Sequence, residues 1–234
     1  MRKEIQGILF DFGGTLYDYY PSNFVIWSRI VKRLGVDISP DDPRIWKGIQ
    51  RQSIEATRRA KPFSKLSREE IHTLNLHALA VMGIDGEGTM GIIGEEFDKR
   101  GHGYRINPET KETLERIYSM DLKIGLISNC PPEFGKPRRQ TMKEDGILHY
   151  FYTIILSGEV GHAKPEKEIF KIALNSLGLQ EASEVINIGD SLLADVIGAQ
   201  NAGLIPVLYD QFGFHSGEDI LTIQKLSEIF RYLM

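Results

Sequence analysis

Five short apolar runs, Ile5–Phe10, Leu122–Ile127, Thr153–Leu156, Val185–Ile188 and Ile205–Leu208, each end in a turn or a polar residue. Runs of this length, rich in branched aliphatics and without polar alternation, are the pattern of strands buried on both faces. Helix-length segments, Pro108–Met120, Glu166–Leu177 and Leu192–Ala202, alternate with the later runs. Alternation of this kind predicts a doubly wound α/β fold with a parallel sheet covered by helices on both faces.

One interval breaks that rhythm. Between Leu16 and about Tyr104 no comparable strand run occurs, only helical patterns. Phe24, Trp27, Ile30, Val31 and Leu34 recur at helical spacing, with Gly35 where a C-terminal cap belongs. Ile45–Arg59 follows, then Ser67–Met82, which opens with the capping box Ser67-Arg68-Glu69-Glu70. A fourth helix is expected over Glu87–Lys99, with Gly88, Gly91 and Gly94 on one face for close packing. The reading is an α/β domain formed by residues 1–16 and 104–234, with an all-helical domain, 17–103, inserted after the first strand. Tyr17–Pro21 and Gly101–Pro108 are the expected hinges.

Composition narrows the class. The net charge of −4 and the scattered basic residues give no footprint for nucleic acid. A single cysteine, Cys130, rules out an intrachain disulfide framework and fits a reducing compartment. No apolar stretch approaches the ~20 residues of a membrane span, and Met1-Arg2-Lys3-Glu4 runs directly into a strand, so no signal peptide is expected. A cytoplasmic protein with no membrane or nucleic-acid partner is the expectation; oligomeric state has no signature. His72 and His77, five apart on a helix, are wrongly spaced for a shared metal.

The chemistry gathers at strand ends. Asp11 follows the first run and opens the turn Phe12-Gly13-Gly14, which puts its carboxylate at the carboxyl edge of the sheet, where ligands of open α/β folds bind. An Asp before glycines is also an ordinary turn former. Ser128 and Asn129 close the second run with a hydroxyl and an amide able to hold an anionic oxygen, or simply to turn the chain. Lys164, before Pro165 at an expected first helical position, could place a cation beside an anion at a helix N-terminus, or lie in solvent. Asp190, with Asp195 five residues on, adds two carboxylates after the fourth run, though either could cap a helix. Four successive strands thus deliver metal-binding oxygens and phosphate-binding donors to one crevice. No Gly-x-Gly-x-x-Gly opens a helix directly after the first strand, and no Gly-x-Ser-x-Gly is present.

Phe10-Asp11-Phe12-Gly13-Gly14-Thr15-Leu16, Ser128-Asn129, Lys164-Pro165 and Gly189-Asp190-Ser191-Leu192-Leu193-Ala194-Asp195 together resemble the four motifs of the haloacid dehalogenase-like (HAD) hydrolases. The subfamily is the one with a helical cap after the first strand of its Rossmann-like core. Ser157–Gly161 and Gly198–Gly203 are also similar to that subfamily, so the resemblance covers essentially the whole chain. It implies a Mg²⁺-dependent phosphatase acting on a small phosphorylated metabolite through an aspartyl-phosphate at Asp11. The implied metal ligands are the Asp11 side chain, the Gly13 carbonyl and Asp190, with Asp195 beside them or bridged by water. Ser128, Asn129, Gly14 and Lys164 would hold the phosphoryl group, and Lys164 would stabilise developing charge.

One position departs from the phosphatase pattern. Two residues after the nucleophile, where a second aspartate serves as general acid and base, this chain has Gly13. That catalysis is typically worth roughly 10²–10⁴ in rate, so either Tyr17, Asp18 or His162 replaces it, the leaving group needs no proton, or turnover is slow. Three alternatives stay open: a metal-free 2-haloacid dehalogenase, a phosphonate-cleaving enzyme using Lys47 or Lys61 as an imine-forming lysine, and a non-catalytic phosphate- or partner-binding module. The loop Cys130–Arg139 could add specificity, with Lys136, Arg138 and Arg139 favouring a second anionic group or merely starting a helix.

Overall fold

The computed structural model describes residues 4–58, 66–100, 103–215 and 220–233. The chain forms two compact units, one made of the residues up to Asp18 and from Ile106 onward, the other of Tyr19–Arg105.

The first unit is built on six parallel strands: β1 (Gly7–Phe10), β4 (Lys123–Ser128), β5 (Thr153–Leu156), β6 (Val185–Gly189), β7 (Ile205–Tyr209) and β8 (Thr222–Ile223), in the order β5-β4-β1-β6-β7-β8. The five expected apolar runs are all strands, within two residues at each end. β8 was not expected from sequence, because two residues are too short for a periodicity signal. The chain winds outward from β1 through β4 and β5, then crosses to β6, β7 and β8. Such a reversal opens a crevice at the carboxyl ends of the central strands. Register fixes which residues overlook it. Phe10 pairs with Leu126 on one side and Ile188 on the other, so Asp11, Ser128 and Asp190 follow the last aligned residues on one edge.

Burial explains why the strands are apolar throughout. Ile8, Leu9 and Phe10 are fully buried. Leu9, Ile127 and Ile155 pack with Ile169, Phe170, Ala173, Leu174 and Leu177 of α8 (Lys167–Leu177). Each large side chain hidden this way stabilises the fold by roughly 1.5–3 kcal/mol. α5 (Thr110–Ser119) turns Leu114 and Ile117 inward, and α6 (Gly135–Glu144) buries Met142. The segment expected as one helix, Leu192–Ala202, is a π-helix over Leu192–Ile197 followed by α9 (Gly198–Asn201). A second difference concerns Pro165. It lies two residues ahead of α8, whose N-cap is Glu166, and not at the first helical position.

The second unit holds α1 (Asn23–Arg33), α2 (Pro43–Arg58), α3 (Arg68–Val81) and α4 (Met90–Arg100). α1 buries Ile26, Trp27, Ile30 and Val31, and Trp27 meets Phe97 of α4 edge to face. Ser67 caps α3 in the expected reciprocal capping box with Glu70. The glycines of α4 differ from expectation. Gly88 lies outside the helix with φ +70°, and a side chain on Gly91 or Gly94 would meet nothing within 4 Å. They face open space and do not admit a packed neighbour. Two short strands, β2 (Tyr17–Tyr19) and β3 (Tyr104–Ile106), pair where the chain passes between units. No helix among the described residues is long and apolar enough to cross a membrane.

Candidate active site

Asp11 leaves β1 with its N–H donated to the Ile188 carbonyl of β6 at 2.8 Å. The following turn closes on Tyr17: Tyr17 N–H donates to the Phe12 carbonyl at 2.8 Å and Gly14 N–H to the Tyr17 carbonyl at 2.7 Å. These bonds flank Gly13 and leave its own carbonyl outside the pairing. Gly14 has φ +87°, a region favouring glycine, and a Cβ there would run into the Asp190 carboxylate. Glycine is needed for both the turn and the carboxylate it faces.

Lys164 lies at the centre. Its side chain is 2% exposed, and Nζ donates to Asp11 Oδ1 and to Asp195 Oδ1, both at 2.5 Å. Burial alone would push the ammonium pKa down, but the two carboxylates outweigh it and hold it above the ordinary lysine value. The backbone of Lys164 is clamped as well. Asn129 Oδ1 accepts from Lys164 N–H, and Asn129 Nδ2 donates to the Lys164 carbonyl, each at 2.9 Å. The Asn129 amide is therefore engaged in positioning the lysine.

Asp195 projects from the π-helix, a rare form frequent at functional sites. Its Oδ2 accepts from Ser191 N–H at 3.1 Å, and its carbonyl accepts from the buried Asn187 of β6 at 3.2 Å. Gly189 makes room for it, since a Cβ at that position would overlap the Asp195 side chain. Oxygens of Asp11, Asp190 and Asp195 all lie within 4.8 Å of one another. Burial and crowding raise the proton affinity of Asp190 and Asp195. Asp195 is pushed up to about 6, chiefly by burial, with Lys164 opposing and Asp11 adding to the shift. Asp190 keeps a solvent-open face but is also held well above the usual carboxylate range, by loss of water on its packed side and then by Asp11 and Asp195. Negative charge at this edge exceeds what Lys164 neutralises. Hard oxygen donors with surplus negative charge suit Mg²⁺, which is bound through one or two carboxylates while keeping waters.

Ser128 ends β4 with its side chain 2% exposed, and its Oγ accepts from Arg138 Nη1 at 2.5 Å. The next residues are pinned to α7 (Ser157–Val160), the short helix that follows β5: Cys130 N–H donates to Ser157 Oγ at 2.9 Å, and Gly158 N–H to the Cys130 carbonyl at 3.0 Å. Cys130 is buried, which pushes its thiol pKa up; this is opposite to an activated cysteine.

Asp11, Ser128, Lys164, Asp190 and Asp195 thus gather at one edge, with Gly13 and Gly14 in the adjoining turn. Two of the suggested substitutes for an acid at Gly13, Tyr17 and His162, are engaged elsewhere. Tyr17 hydroxyl donates to Asp145 Oδ2 at 2.8 Å, and burial raises its pKa further. His162 Nδ1 lies 3.2 Å from Glu166 Oε2. Lys47 is exposed on α2, and Lys61 lies outside the described residues. Arg138 and Arg139 separate. Arg139 forms a two-point ion pair with Glu159 at 2.6 and 2.7 Å, whereas Arg138 reaches Ser128. Sequence reasoning did not find the clamp by Asn129 or the clearance at Gly189. A buried asparagine inside an apolar strand, Asn187, was the one available hint of a polar network behind Asp195.

A family model described as haloacid dehalogenase-like hydrolase matches residues 8–208. A phosphoserine phosphatase from Thermus thermophilus is 30% identical over 119 residues, which are 51% of this chain and 46% of that protein. The chain spans less than half the length of that relative. A ribulose-1,5-bisphosphate 5-phosphatase from Halopiger xanaduensis is 26% identical over 211 residues, 87% of this chain and 84% of that one. Among solved structures, magnesium-bound YfnB from Bacillus subtilis has the same fold, with a TM-score of 0.63, 20% identity and 99% of both chains covered.

Proposed function

Because the chain belongs to the haloacid dehalogenase-like hydrolases, we propose that it is a Mg²⁺-dependent phosphatase that cleaves a small phosphomonoester through an aspartyl-phosphate at Asp11. The observation that carries the reading is the Lys164 ammonium held between Asp11 and Asp195, beside the third carboxylate of Asp190. The names of the relatives, which act on phosphorylated small molecules, support the substrate class.

The roles follow from charge. A carboxylate attacks a phosphate ester slowly unless the mutual repulsion is removed. Lys164 holds Asp11 in place and offers positive charge to the phosphoryl oxygens. Ser128 donates its hydroxyl to the same group, while Asn129 keeps Lys164 from moving. Asp11, Asp190 and the Gly13 carbonyl are the assigned Mg²⁺ ligands, and Asp195, whose two oxygens accept from Lys164 and Ser191, anchors the lysine. Mg²⁺ held there supplies neutralisation of the nucleophile and the phosphoryl charge. With Gly13 in place of a second aspartate, good leaving groups are expected to be cleaved far faster than alkyl phosphates. The helical unit is assigned the part of a cap domain that carries substrate selection. Lys164 and Asp190 fit a metal-free dehalogenase as well, so dependence on Mg²⁺ is what separates the two readings.

Hydrolysis of p-nitrophenyl phosphate with and without Mg²⁺, for wild type and Asp11→Asn, tests this. Metal-dependent turnover lost in the variant supports the assignment. Metal-independent halide release from a 2-haloacid, with no phosphatase activity, would replace it.

A further inference from the structure

Two adjacent arginines in the first turns of α6 have different partners. Arg139 is neutralised by Glu159. Arg138 donates to Ser128 Oγ at 2.5 Å and lies over the ring of Phe12, 4.8 Å from its centre, directly after Asp11 in the chain. A guanidinium can only donate, so the Ser128 oxygen is the acceptor of that bond. The hydroxyl hydrogen is then left to be given to another group, and a hydroxyl that accepts a charge-assisted bond becomes a better donor in turn. Ser128 is almost wholly buried, so the groups around it fix its direction.

We propose that Arg138 is a positioning residue that locks Ser128 as a donor to the substrate phosphoryl group. This rests on the phosphatase reading above. The planar cation is held on two sides, by the Ser128 oxygen and the Phe12 face, and a lysine offers neither the fork nor the flat stacking surface. The role belongs to Arg138 and not to Arg139, whose two-point pair with Glu159 spends its charge locally.

The test is a double-mutant cycle of Ser128→Ala and Arg138→Met with Arg138→Lys added. It reads kcat and KM for p-nitrophenyl phosphate, calorimetric binding of inorganic phosphate in Mg²⁺, and the thermal midpoint of each variant. Arg138→Met is expected to lower kcat/KM and phosphate affinity about 10- to 100-fold, the usual cost of losing an outer hydrogen-bond partner of a functional group. Arg138→Lys should recover only part of this. In the Ser128→Ala background Arg138→Met should have little further effect. Equal losses in both backgrounds, a gain of activity on removing Arg138, or losses that merely track the thermal midpoint would each overturn the proposal. If wild type binds phosphate but turns nothing over, the phosphatase reading fails while non-additive phosphate affinities still uphold Arg138. Turnover with additive losses has the opposite meaning, and a wild type that binds no phosphate overturns the role of Arg138.

Discussion

Charges and glycines behave differently in the two units. At the sheet edge Lys164, Asp11 and Asp195 are buried against one another, and Gly14 and Gly189 are glycines because carboxylates occupy the space a side chain would need. In the helical unit Lys32 pairs with Asp37 at 3.2 Å with most of both side chains in solvent, and Gly91 and Gly94 border open space. The same residue types are therefore costly and irreplaceable in one place and nearly optional in the other. Charge buried beyond its neutralisation is costly, and such groups cluster at functional sites.

Removing the central cation should give the largest effect. Lys164→Met leaves Asp11 and Asp195 buried without their cation and is expected to cost about 3–5 kcal/mol, the range for breaking a buried pair, read as a lowered denaturant midpoint. Lys32→Met should cost about 1 kcal/mol or less, as exposed pairs do. Equal costs would erase the contrast.

Clearance comes next. Gly189→Ala should displace Asp195 from Lys164 and abolish Mg²⁺-dependent turnover, because a Cβ there overlaps the carboxylate. Gly94→Ala should instead stabilise the fold by about 0.5–1 kcal/mol, the helix-propensity difference. An active Gly189→Ala enzyme would show that the carboxylate position is not critical.

Surplus negative charge gives a smaller, opposite-signed effect. A carboxyl whose folded pKa is raised binds its proton more tightly folded than unfolded, so its ionisation costs stability. Asp195 shifts from 3.8 to about 6, hence metal-free stability should fall as pH rises through that window. Asp190 is shifted in the same direction. Asp190→Asn should accordingly raise the thermal midpoint of metal-free protein at neutral pH while removing both turnover and the stabilisation that Mg²⁺ gives wild type. A lowered midpoint would contradict the electrostatic picture.

Much of this was readable in the chain because parallel strands buried on both faces are written as unbroken apolar runs, and their ends mark the edge that holds the candidate site. Asp11, Ser128, Lys164 and Asp190 were legible for that reason. What was not legible depends on geometry without a local pattern. The pairing of Tyr17–Tyr19 with Tyr104–Ile106 joins segments far apart in sequence. The π-turn that aims Asp195 and the Asn129 clamp on Lys164 depend on tertiary contacts that no spacing encodes. Gly91 and Gly94 show the converse error, since helical spacing of small residues suggested packing where nothing packs. Pro165 suggested a helix start that falls two residues later, because the segment first serves to present Lys164.

The most direct measurement is acid-quenched mass spectrometry of the peptide carrying Asp11 after a single turnover of p-nitrophenyl phosphate in Mg²⁺. A phosphoryl group on Asp11, absent without Mg²⁺ and absent in Asp11→Asn, is the predicted result. Turnover at full rate by Asp11→Asn, or a phosphoryl group trapped on any other residue, would contradict the assignment of Asp11 as the nucleophile.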